Sequence, residues 1–258
     1  PYGEHFLFAC GMEVVLANGE VLRTGMGSVP NSNTWQVFKW GYGPYLDGIF
    51  TQSNYGIVTK FGFWLMPEPP AFKPFVIQYQ HEEDIVEIVE TIRPLRISGV
   101  IPNAVVIAHA LYEAPVKAKR SDYVSGPGSI PDEAVYRIMK DHKLGIWNVY
   151  AALYGTQEQI DVNWKIVTQA FGQSGKAKIL TEQEAGDDPA FAYRAKLMKG
   201  EMTLTEFSLY NWRGGGGSMW FAPVSQARGS ETLKQMALTK QILAKYGLDY
   251  SGEFIVGM

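Results

Sequence analysis

The stretch GIWNVYAALYGTQEQIDVNWKIVTQAFG, residues 145–172, predicts a buried strand followed directly by an amphipathic helix. Its first part, 145–155, is an apolar and aromatic run of the kind found in strands covered on both faces. Its second part, 156–172, has an apolar stripe at helical spacing that is formed by Ile160, Trp164, Val167 and Phe171. Thr156 can cap this helix and Gly172 can end it.

The same alternation of strands and helices continues on both sides of this stretch. Further strands are predicted over 74–80, 100–110, 218–224 and 253–257. Further helices are predicted over 82–95, 131–143 and 230–247, and a loop over 111–130. Pro131 marks one helix start, while Ser230 can cap the last helix and Gly247 can close it. This order predicts a sheet layered with helices on one side.

The N-terminal part has a different character. In residues 12–24, MEVVLANGEVLRT, the pair Asn18-Gly19 lies between two β-rich arms and predicts a hairpin. Residues 56–66, GIVTKFGFWLM, predict a buried strand with a glycine at each bend. The PEPP run at 67–70 interrupts the chain, and we predict a domain boundary there.

Composition limits the classes of function. The 258 residues are 46% hydrophobic, enough for a packed core, and the net charge of −3 makes nucleic acid an unfavourable partner. The single cysteine, Cys10, excludes an internal disulfide framework. The sequence contains no run of about 18 apolar residues, so no membrane span is predicted. The four histidines are scattered, so no metal site is predicted.

One segment raises a question that composition leaves open. Residues 210–223, YNWRGGGGSMWFAP, contain the glycine-serine run typical of flexible linkers. The flanking aromatic residues favour burial, which places the glycines inside folded protein. Two interpretations remain: a tight loop before a core strand, or a bare backbone surface that a flat cofactor approaches closely.

Four long segments carry a resemblance to a known family. They are PYGEHFLFACGMEVVLANGEVLRTGMG (1–27), FKWGYGPYLDGIFTQSNYGIVTKFGFWLMP (38–67), WNVYAALYGTQEQIDVNWKIVT (147–168) and LYNWRGGGGSMWFAPVSQARGSE (209–231). Over essentially its whole length the chain resembles the vanillyl-alcohol oxidase family of 4-alkylphenol-oxidising flavoenzymes. The resemblance implies an α+β fold. Residues 1–67 would be the C-terminal part of the FAD-binding domain, and 68–258 a cap (substrate) domain with an antiparallel sheet flanked by helices.

The resemblance also implies a covalent cofactor. Members of the family attach FAD through its 8α-methyl group. The cytochrome-linked hydroxylases use a tyrosine oxygen, and Tyr210 is the matching residue. The oxidase branch uses a histidine at about the position of Ser218, and residues 200–258 contain no histidine. Tyrosyl-linked FAD through Tyr210 is therefore expected, and the dehydrogenase branch is favoured.

Other positions match the family's site. Glu206 and Glu253 match active-site carboxylates of the cap, and Trp220 matches an aromatic residue close to the flavin. A carboxylate in a dry site can activate the water that attacks an electrophilic intermediate. The simpler interpretation of each glutamate is a solvated surface position.

Six residues match the region that lines FAD, mainly through backbone atoms. They are Gly11, Glu13, Asn54, Gly56, Ile57 and Val58. The simpler interpretation of these six is that they belong to ordinary buried strands.

The implied function is oxidation of 4-alkylphenols of the 4-cresol type at the benzylic carbon. Hydride would pass to FAD, water would add to the quinone methide, and electrons would leave to a c-type cytochrome subunit. A flavoprotein homodimer and a bacterial location are implied, the periplasm being favoured over the cytoplasm. Two alternatives stay open: an oxygen-using oxidase of the vanillyl-alcohol or eugenol type, and an inactive isolated cap segment.

Both ends of the sequence lie apparently inside strands, which suggests a segment of a longer polypeptide. The family's pyrophosphate-binding loop, phenolate-binding tyrosines and arginine, and an aspartate near flavin N5 match nothing in the 258 residues. We expect the segment alone to be inactive.

Overall fold

Residues 5–214 and 219–257 are described by the computed structural model, and the chain divides into two units between Glu68 and Pro69. The division lies within the PEPP run. Both units combine helices with antiparallel sheet, so the α+β class is confirmed. No helix in the described ranges is long and apolar enough to cross a membrane.

The smaller unit is built on a three-stranded antiparallel sheet. Its strands lie in the order β2-β1-β3, and its elements are β1 (Ala9–Leu16), β2 (Val21–Arg23), the short helix α1 (Asp47–Phe50), β3 (Gly56–Phe63) and 3-10 turns at His5–Phe8 and Gly25–Ser28. The predicted hairpin is confirmed: β1 pairs with β2, and Gly19 adopts a φ of 85° that glycine tolerates readily.

The strand predicted over 56–66 exists but is shorter and is not buried. β3 ends at Phe63, and Ile57 is 72% exposed. The reason is its place in the sheet, since β3 is an edge strand that pairs only with β1 among the described strands. Gly62 alone in this strand is buried, and a side chain there would meet the carbonyl oxygen of Cys10.

The larger unit contains a five-stranded sheet in which all neighbouring strands are antiparallel. Its order is β7-β4-β6-β5-β8, with β4 (Ala71–Tyr79), β5 (Val105–His109), β6 (Trp147–Gly155), β7 (Lys178–Thr181) and β8 (Glu253–Val256). Its helices are α2 (Ile85–Ile97), α3 (Ala110–Glu113), α4 (Asp132–His142), α5 (Gln157–Gly172), α6 (Glu182–Ala185), α7 (Pro189–Lys199) and α8 (Gly229–Lys245). 3-10 turns occupy Glu82–Asp84, Ala114–Val116, Arg120–Asp122 and Thr205–Asn211.

Helix ends follow the predicted signals in most places. Thr156 caps α5 by accepting a hydrogen bond from the backbone N–H of Gln159. The predicted Ser230 cap is wrong, because α8 begins one residue earlier at Gly229, whose N–H donates to Glu90 Oε1 at 2.9 Å. Glycine is required at this start, since a Cβ would lie 2.4 Å from the carbonyl oxygen of Val86.

The sheet has two unlike faces. One packs against α2, α4, α5 and α8 in a large apolar core, to which alternate sheet residues such as Phe75, Ile77 and Val149 contribute. The other carries Val76 and Tyr150 and packs against α7. The prediction of helices on one side is therefore wrong in part, because α7 covers the second face.

Two further predictions are corrected. Residues 219–224 form no strand and are exposed, because no described strand of either sheet pairs with them; Ser218 lies outside the described residues. The loop predicted over 111–130 is partly helical. It contains the end of α3 and two 3-10 turns, and it buries Glu113 completely.

A partly buried polar junction joins Glu82, in the 3-10 turn before α2, to α8. Lys240 of α8 forms an ion pair with Glu82, whose Oε1 lies 3.8 Å from Nε2 of the buried His109. His109 and Lys240 together lower the pKa of Glu82 to about 2. Because burial lowers the pKa of His109, its ring is neutral at pH 7, and Lys240 supplies the charge there.

We expect this junction to make stability depend on pH. A carboxyl with a depressed pKa stabilises the fold above its unfolded pKa of about 4.3 and loses that contribution as pH falls toward 2. Glu82→Gln should therefore lower the free energy of unfolding by about 2 kcal/mol at pH 6, after allowance for solvent screening, and by almost nothing near pH 2. Thermal unfolding of both forms across this range measures the difference. The exposed neighbour Glu83→Gln is the control, and a difference independent of pH would contradict the prediction.

Candidate active site

The second face of the large sheet buries a charged cluster around Arg194 of α7. Its Nη2 donates to Glu113 Oε1 at 2.8 Å and to Glu253 Oε2 at 3.1 Å, and its Nε donates to Glu113 Oε1 at 3.2 Å. Three tyrosine rings lie 4.9–5.4 Å from the guanidinium carbon, those of Tyr112, Tyr150 and Tyr193. We call these residues, together with Glu206, the Arg194 cluster.

Strand alternation places Glu253 in the cluster. β8 pairs with β5, and Glu253 lies opposite Ala108. The next residue, Phe254, packs against the large core, so Glu253 points to the other face of the sheet. There its side chain is 9% exposed and reaches Arg194. Glu253 is therefore not a solvated surface residue, which was the simpler of its two predicted interpretations.

Glu206 approaches the same place from the 3-10 turn Thr205–Asn211. The hydroxyl of Tyr112 donates to Glu206 Oε1 at 2.6 Å, a distance typical of a strong hydrogen bond to a carboxylate. Tyr112 in turn lies against Arg194, which holds Glu253. The two glutamates predicted from the resemblance are therefore brought together by one arginine and one tyrosine.

The surroundings in the cluster raise the pKa values of Glu253 and Tyr112. Burial raises the pKa of Glu253; Arg194 opposes the shift, while the charges of Glu206 and Glu113 add to it. Burial also raises the pKa of Tyr112, and the nearby carboxylates reinforce the effect. A carboxyl group poised in this way can exchange a proton with a bound molecule at mild pH.

Tyr210 belongs to the same 3-10 turn as Glu206. Its side chain is partly buried, and its ring centroid lies 5.4 Å from that of Phe207. Its hydroxyl makes no hydrogen bond to any residue within 5–214 or 219–257. The oxygen is therefore not committed to the described part of the chain, as an attachment point requires.

The residues that follow Tyr210 are held by Asp249. Trp212 Nε1 donates to Asp249 Oδ2 at 3.1 Å, and Arg213 Nη2 donates to Oδ1 at 2.9 Å. Arg120 Nε and the backbone N–H of Ile130 also donate to Asp249, at 2.9 and 2.6 Å. Burial opposes ionisation of Asp249, but these donors outweigh it and lower its pKa. The chain is thus anchored just before the glycine run, whose residues 215–218 lie outside the described part.

Trp220 is not part of the Arg194 cluster in this structure. It is 63% exposed, and no hydrogen bond or ring contact joins it to a cluster residue among those described. Its neighbours Met219 and Phe221 are 89% and 81% exposed. The predicted place of Trp220 beside the flavin stays a prediction.

In the small unit, Gly11 and Glu13 have partners within the sheet. Gly11, with a φ of 81°, donates its N–H to Asp47 Oδ2 at 3.0 Å. Glu13 forms ion pairs with Arg23 and Lys60, and Arg23 lowers its pKa. These ion pairs link β1 to β2 and to β3, which is a structural role for Glu13. Its role toward FAD stays a prediction.

Asn54, Gly56, Ile57 and Val58 lie at the start of β3 and just before it. Asn54, Ile57 and Val58 are exposed, whereas Gly56 is partly buried and leaves no room for a side chain, because a Cβ would lie 2.4 Å from Val14 Cγ1. An exposed apolar strand edge suits backbone contact with a bound molecule. Their predicted contacts with FAD are untested.

The residues present fit a flavin. A covalently bound isoalloxazine ring needs flat apolar neighbours and an attachment atom. The turn that carries Tyr210 offers a hydroxyl with no hydrogen bond to the described residues, and the 43% exposed ring of Phe207 beside it. Among the described residues, no three His, Cys, Asp or Glu side chains are arranged to hold a metal ion.

Sequence reasoning missed Arg194, Glu113 and Tyr112. A signal for Arg194 exists in the sequence, because the buried residues of α7 include Ala190, Arg194 and Met198 at a spacing of four. An arginine on the apolar stripe of a helix indicates a buried ion pair. No comparable signal marks Glu113, which ends a four-residue helix inside a predicted loop.

Comparison with known proteins gives close relatives. The chain is 65% identical over 257 residues, 99% of its length, to the flavoprotein subunit of 4-cresol dehydrogenase (hydroxylating) from Pseudomonas putida. It is 32% identical over 172 residues, 65% of its length, to 1'-carboxy-chondrochloren decarboxylase from Chondromyces crocatus. It spans 49% and 31% of these two relatives, about half of the first. No family model matches.

Solved structures agree with these relatives. A crystal structure of p-cresol methylhydroxylase with substrate bound matches all of this chain and 50% of its own, with a TM-score of 0.97 and 64% identity. The 4-ethylphenol oxidase from Gulosibacter chungangensis, as its isoeugenol complex, also matches all of this chain and 50% of its own, with a TM-score of 0.95 and 36% identity. By sequence and by fold the chain is therefore a homologue of the corresponding half of the 4-cresol dehydrogenase flavoprotein subunit, and the predicted family resemblance is confirmed.

Proposed function

We propose that the full-length protein that carries this chain is an FAD-dependent enzyme that oxidises 4-alkylphenols of the 4-cresol type at the benzylic carbon. The observation that carries the proposal is that Glu206 and Glu253 lie in one cluster and that Glu206 belongs to the same 3-10 turn as Tyr210. Two similar solved structures, named a p-cresol methylhydroxylase and a 4-ethylphenol oxidase, support this substrate class.

In this proposal the cofactor is FAD, attached to the Tyr210 oxygen. When bound, it would supply the acceptor for the hydride that leaves the benzylic carbon. The chain's own contribution is to hold the attachment point, through the anchor of Trp212 and Arg213 on Asp249, and to keep apolar side chains beside the ring.

The proposed role of Glu253 is that of a general base. Loss of hydride and of the phenolic proton turns a 4-alkylphenol into a quinone methide, whose exocyclic carbon is electrophilic. Water adds at that carbon, its oxygen forms the new C–O bond, and its proton passes to the carboxylate of Glu253. The raised pKa of Glu253 gives it the affinity to take the proton, and Tyr112 keeps Glu206 beside it.

We further propose that electrons leave to a c-type cytochrome subunit and that the flavoprotein forms a homodimer. The absence of histidine from residues 200–258 favours this acceptor over oxygen, because the oxidase branch attaches its flavin to histidine. The expected bacterial, periplasmic location is a further prediction. The segment of 258 residues is proposed to be inactive by itself.

An assay of the full-length protein with 4-cresol tests the function. We expect formation of 4-hydroxybenzyl alcohol whose new oxygen comes from labelled water, together with reduction of a c-type cytochrome. Fast oxygen consumption with peroxide release would instead identify an oxidase. Failure to oxidise any 4-alkylphenol would refute the proposal, and turnover by the 258-residue segment would refute its predicted inactivity.

A further inference from the structure

The single guanidinium of Arg194 is divided unequally between two glutamates. Glu113 accepts hydrogen bonds from Nη2 at 2.8 Å and from Nε at 3.2 Å, whereas Glu253 accepts from Nη2 alone, at 3.1 Å. Glu113 is fully buried, and among the described residues its hydrogen-bond donors are Arg194 and the hydroxyl of Tyr193, which lies at 3.4 Å. Glu113 therefore has the stronger interaction with the Arg194 guanidinium, and Glu253, the outer glutamate, has the weaker one.

Arg194 is fixed in this arrangement by its surroundings. It is 5% exposed and lies between the rings of Tyr112, Tyr150 and Tyr193. A guanidinium donates from a rigid planar fork, so stacking that fixes the plane also fixes which oxygen each N–H reaches. Glu113 occupies the edge formed by Nε and Nη2, which leaves Glu253 only the other N–H of Nη2.

We propose that Arg194 and Glu113 are positioning residues, and that the division of one guanidinium between Glu113 and Glu253 determines whether Glu253 carries a proton. The inference rests on the role proposed above for Glu253 and goes one step deeper. Glu113 acts as a competitor: the more of Arg194 it binds, the less charge remains to keep Glu253 ionised.

The charges that face Glu253 agree with this. From α7 it meets Arg194, from α3 Glu113 and from the 3-10 turn Glu206, so one cation serves three carboxyl groups. The other ionisable groups in contact are the hydroxyls of Tyr112, Tyr150 and Tyr193, which are uncharged at neutral pH. Lys117, which also acts on Glu113, is paired with Asp188. Burial raises the pKa of both Glu113 and Glu253, and Arg194 opposes the shift at each. Because Glu113 has the larger share of Arg194, Glu253 is the one that takes up a proton first as pH falls.

Replacing the competitor tests the proposal in the full-length protein. Glu113→Gln removes a negative charge near Glu253 and frees the guanidinium for it, and both effects favour the ionised form of Glu253. The titration midpoint of Glu253 should fall by about one to three pH units, the size of shift that an opposite charge at close range produces. Infrared difference spectra across pH measure it, with the carboxyl band of Glu253 identified by its loss in Glu253→Gln.

Activity should follow the titration. If Glu253 accepts a proton from water, the rate falls as pH drops through its pKa, and this acidic limb should move to lower pH in Glu113→Gln. An unchanged midpoint in a folded Glu113→Gln protein would overturn the proposal. Asp84→Asn is the matched control, because Asp84 is a buried carboxylate paired with Lys176 elsewhere in the large unit; it should shift neither the midpoint nor the limb.

A second variant predicts the opposite sign. Arg194→Lys replaces the planar fork that spans both carboxylates by a compact ammonium on a shorter side chain. We expect this ammonium to stay with the fully buried Glu113, so that Glu253 loses its donor and its midpoint rises. This measurement stands alone if Glu113→Gln does not fold, and a lowered or unchanged midpoint would overturn the proposal. Full turnover of Glu253→Gln would instead refute the proposed base while leaving the titration comparison intact, so the two failures are distinguishable.

Discussion

Tyr210→Phe is expected to remove all covalently attached flavin from the full-length protein while leaving its fold unchanged. The hydroxyl makes no hydrogen bond to the described residues, and the ring contact with Phe207 does not need it. The variant therefore loses only the attachment atom. Acid precipitation should give a colourless polypeptide and a yellow supernatant, whereas the parent protein keeps its colour in the pellet.

The same variant should also turn over more slowly. An oxygen substituent on the flavin methyl group is expected to make the ring a stronger oxidant, so its loss should slow hydride transfer by about tenfold, or about 1.4 kcal/mol in activation free energy. Tyr246→Phe, at an exposed tyrosine, is the control and should keep both colour and rate. Flavin that stays on the polypeptide of Tyr210→Phe, or a flavin-bearing peptide that excludes residue 210, would contradict the assignment.

Glu253→Gln is expected to reduce steady-state turnover by about 10²–10⁴-fold, the usual contribution of a general base. The amide can still accept the hydrogen bond from Arg194, and Arg194 keeps Glu113 as its charged partner, so the cluster should remain folded. What the amide cannot do is take a proton from water. The loss therefore belongs to hydration of the oxidised substrate.

Rapid mixing separates this step from the one before it. Bleaching of the flavin by 4-cresol should stay near the parent rate in Glu253→Gln, while release of 4-hydroxybenzyl alcohol slows. Glu201→Gln, at an exposed position just after α7, is the control and should change neither rate. Equal slowing of both steps would show that Glu253 acts in substrate oxidation and not as the base for water.

The sequence predicts best where a local rule decides the structure. The hairpin at Asn18-Gly19 and the Thr156 cap were both found as predicted, because each depends on residues within a few positions of one another. The strand over 145–155 and its following helix were also predicted, since their apolar residues keep a single period over many residues.

The failures have one physical cause, which is that burial depends on distant partners. Residues 219–224 are apolar enough for a strand, yet no described strand pairs with them. β3 is as apolar as a core strand, yet it lies at an edge of its sheet. Conversely, Arg194 and Glu113 are residue types that are usually exposed. They are buried here because α3, α7 and β8 bring their side chains together on one face of the sheet.

The residues of the candidate site likewise fall into those that the sequence could indicate and those that only the structure shows. The resemblance supplied Glu206, Glu253 and Tyr210, and the structure brings the two glutamates together. It could not supply Tyr112 or Arg194, because a contact between residues 94 positions apart leaves no local pattern. The pKa of Glu253 depends on neighbours that meet only when the sheet and α7 have packed together.

The two unlike faces of the large sheet also limit how this protein can diverge. On β8, Phe254 packs in the core while Glu253 reaches Arg194, and on β6, Val149 and Tyr150 divide in the same way. Deleting or inserting one residue in either strand would move each of its side chains to the opposite face of the sheet. On β8 this would place the carboxylate of Glu253 in the apolar core and the ring of Phe254 in the Arg194 cluster. We therefore expect homologues to vary in length at the connections, and to vary within these strands by substitution of single side chains.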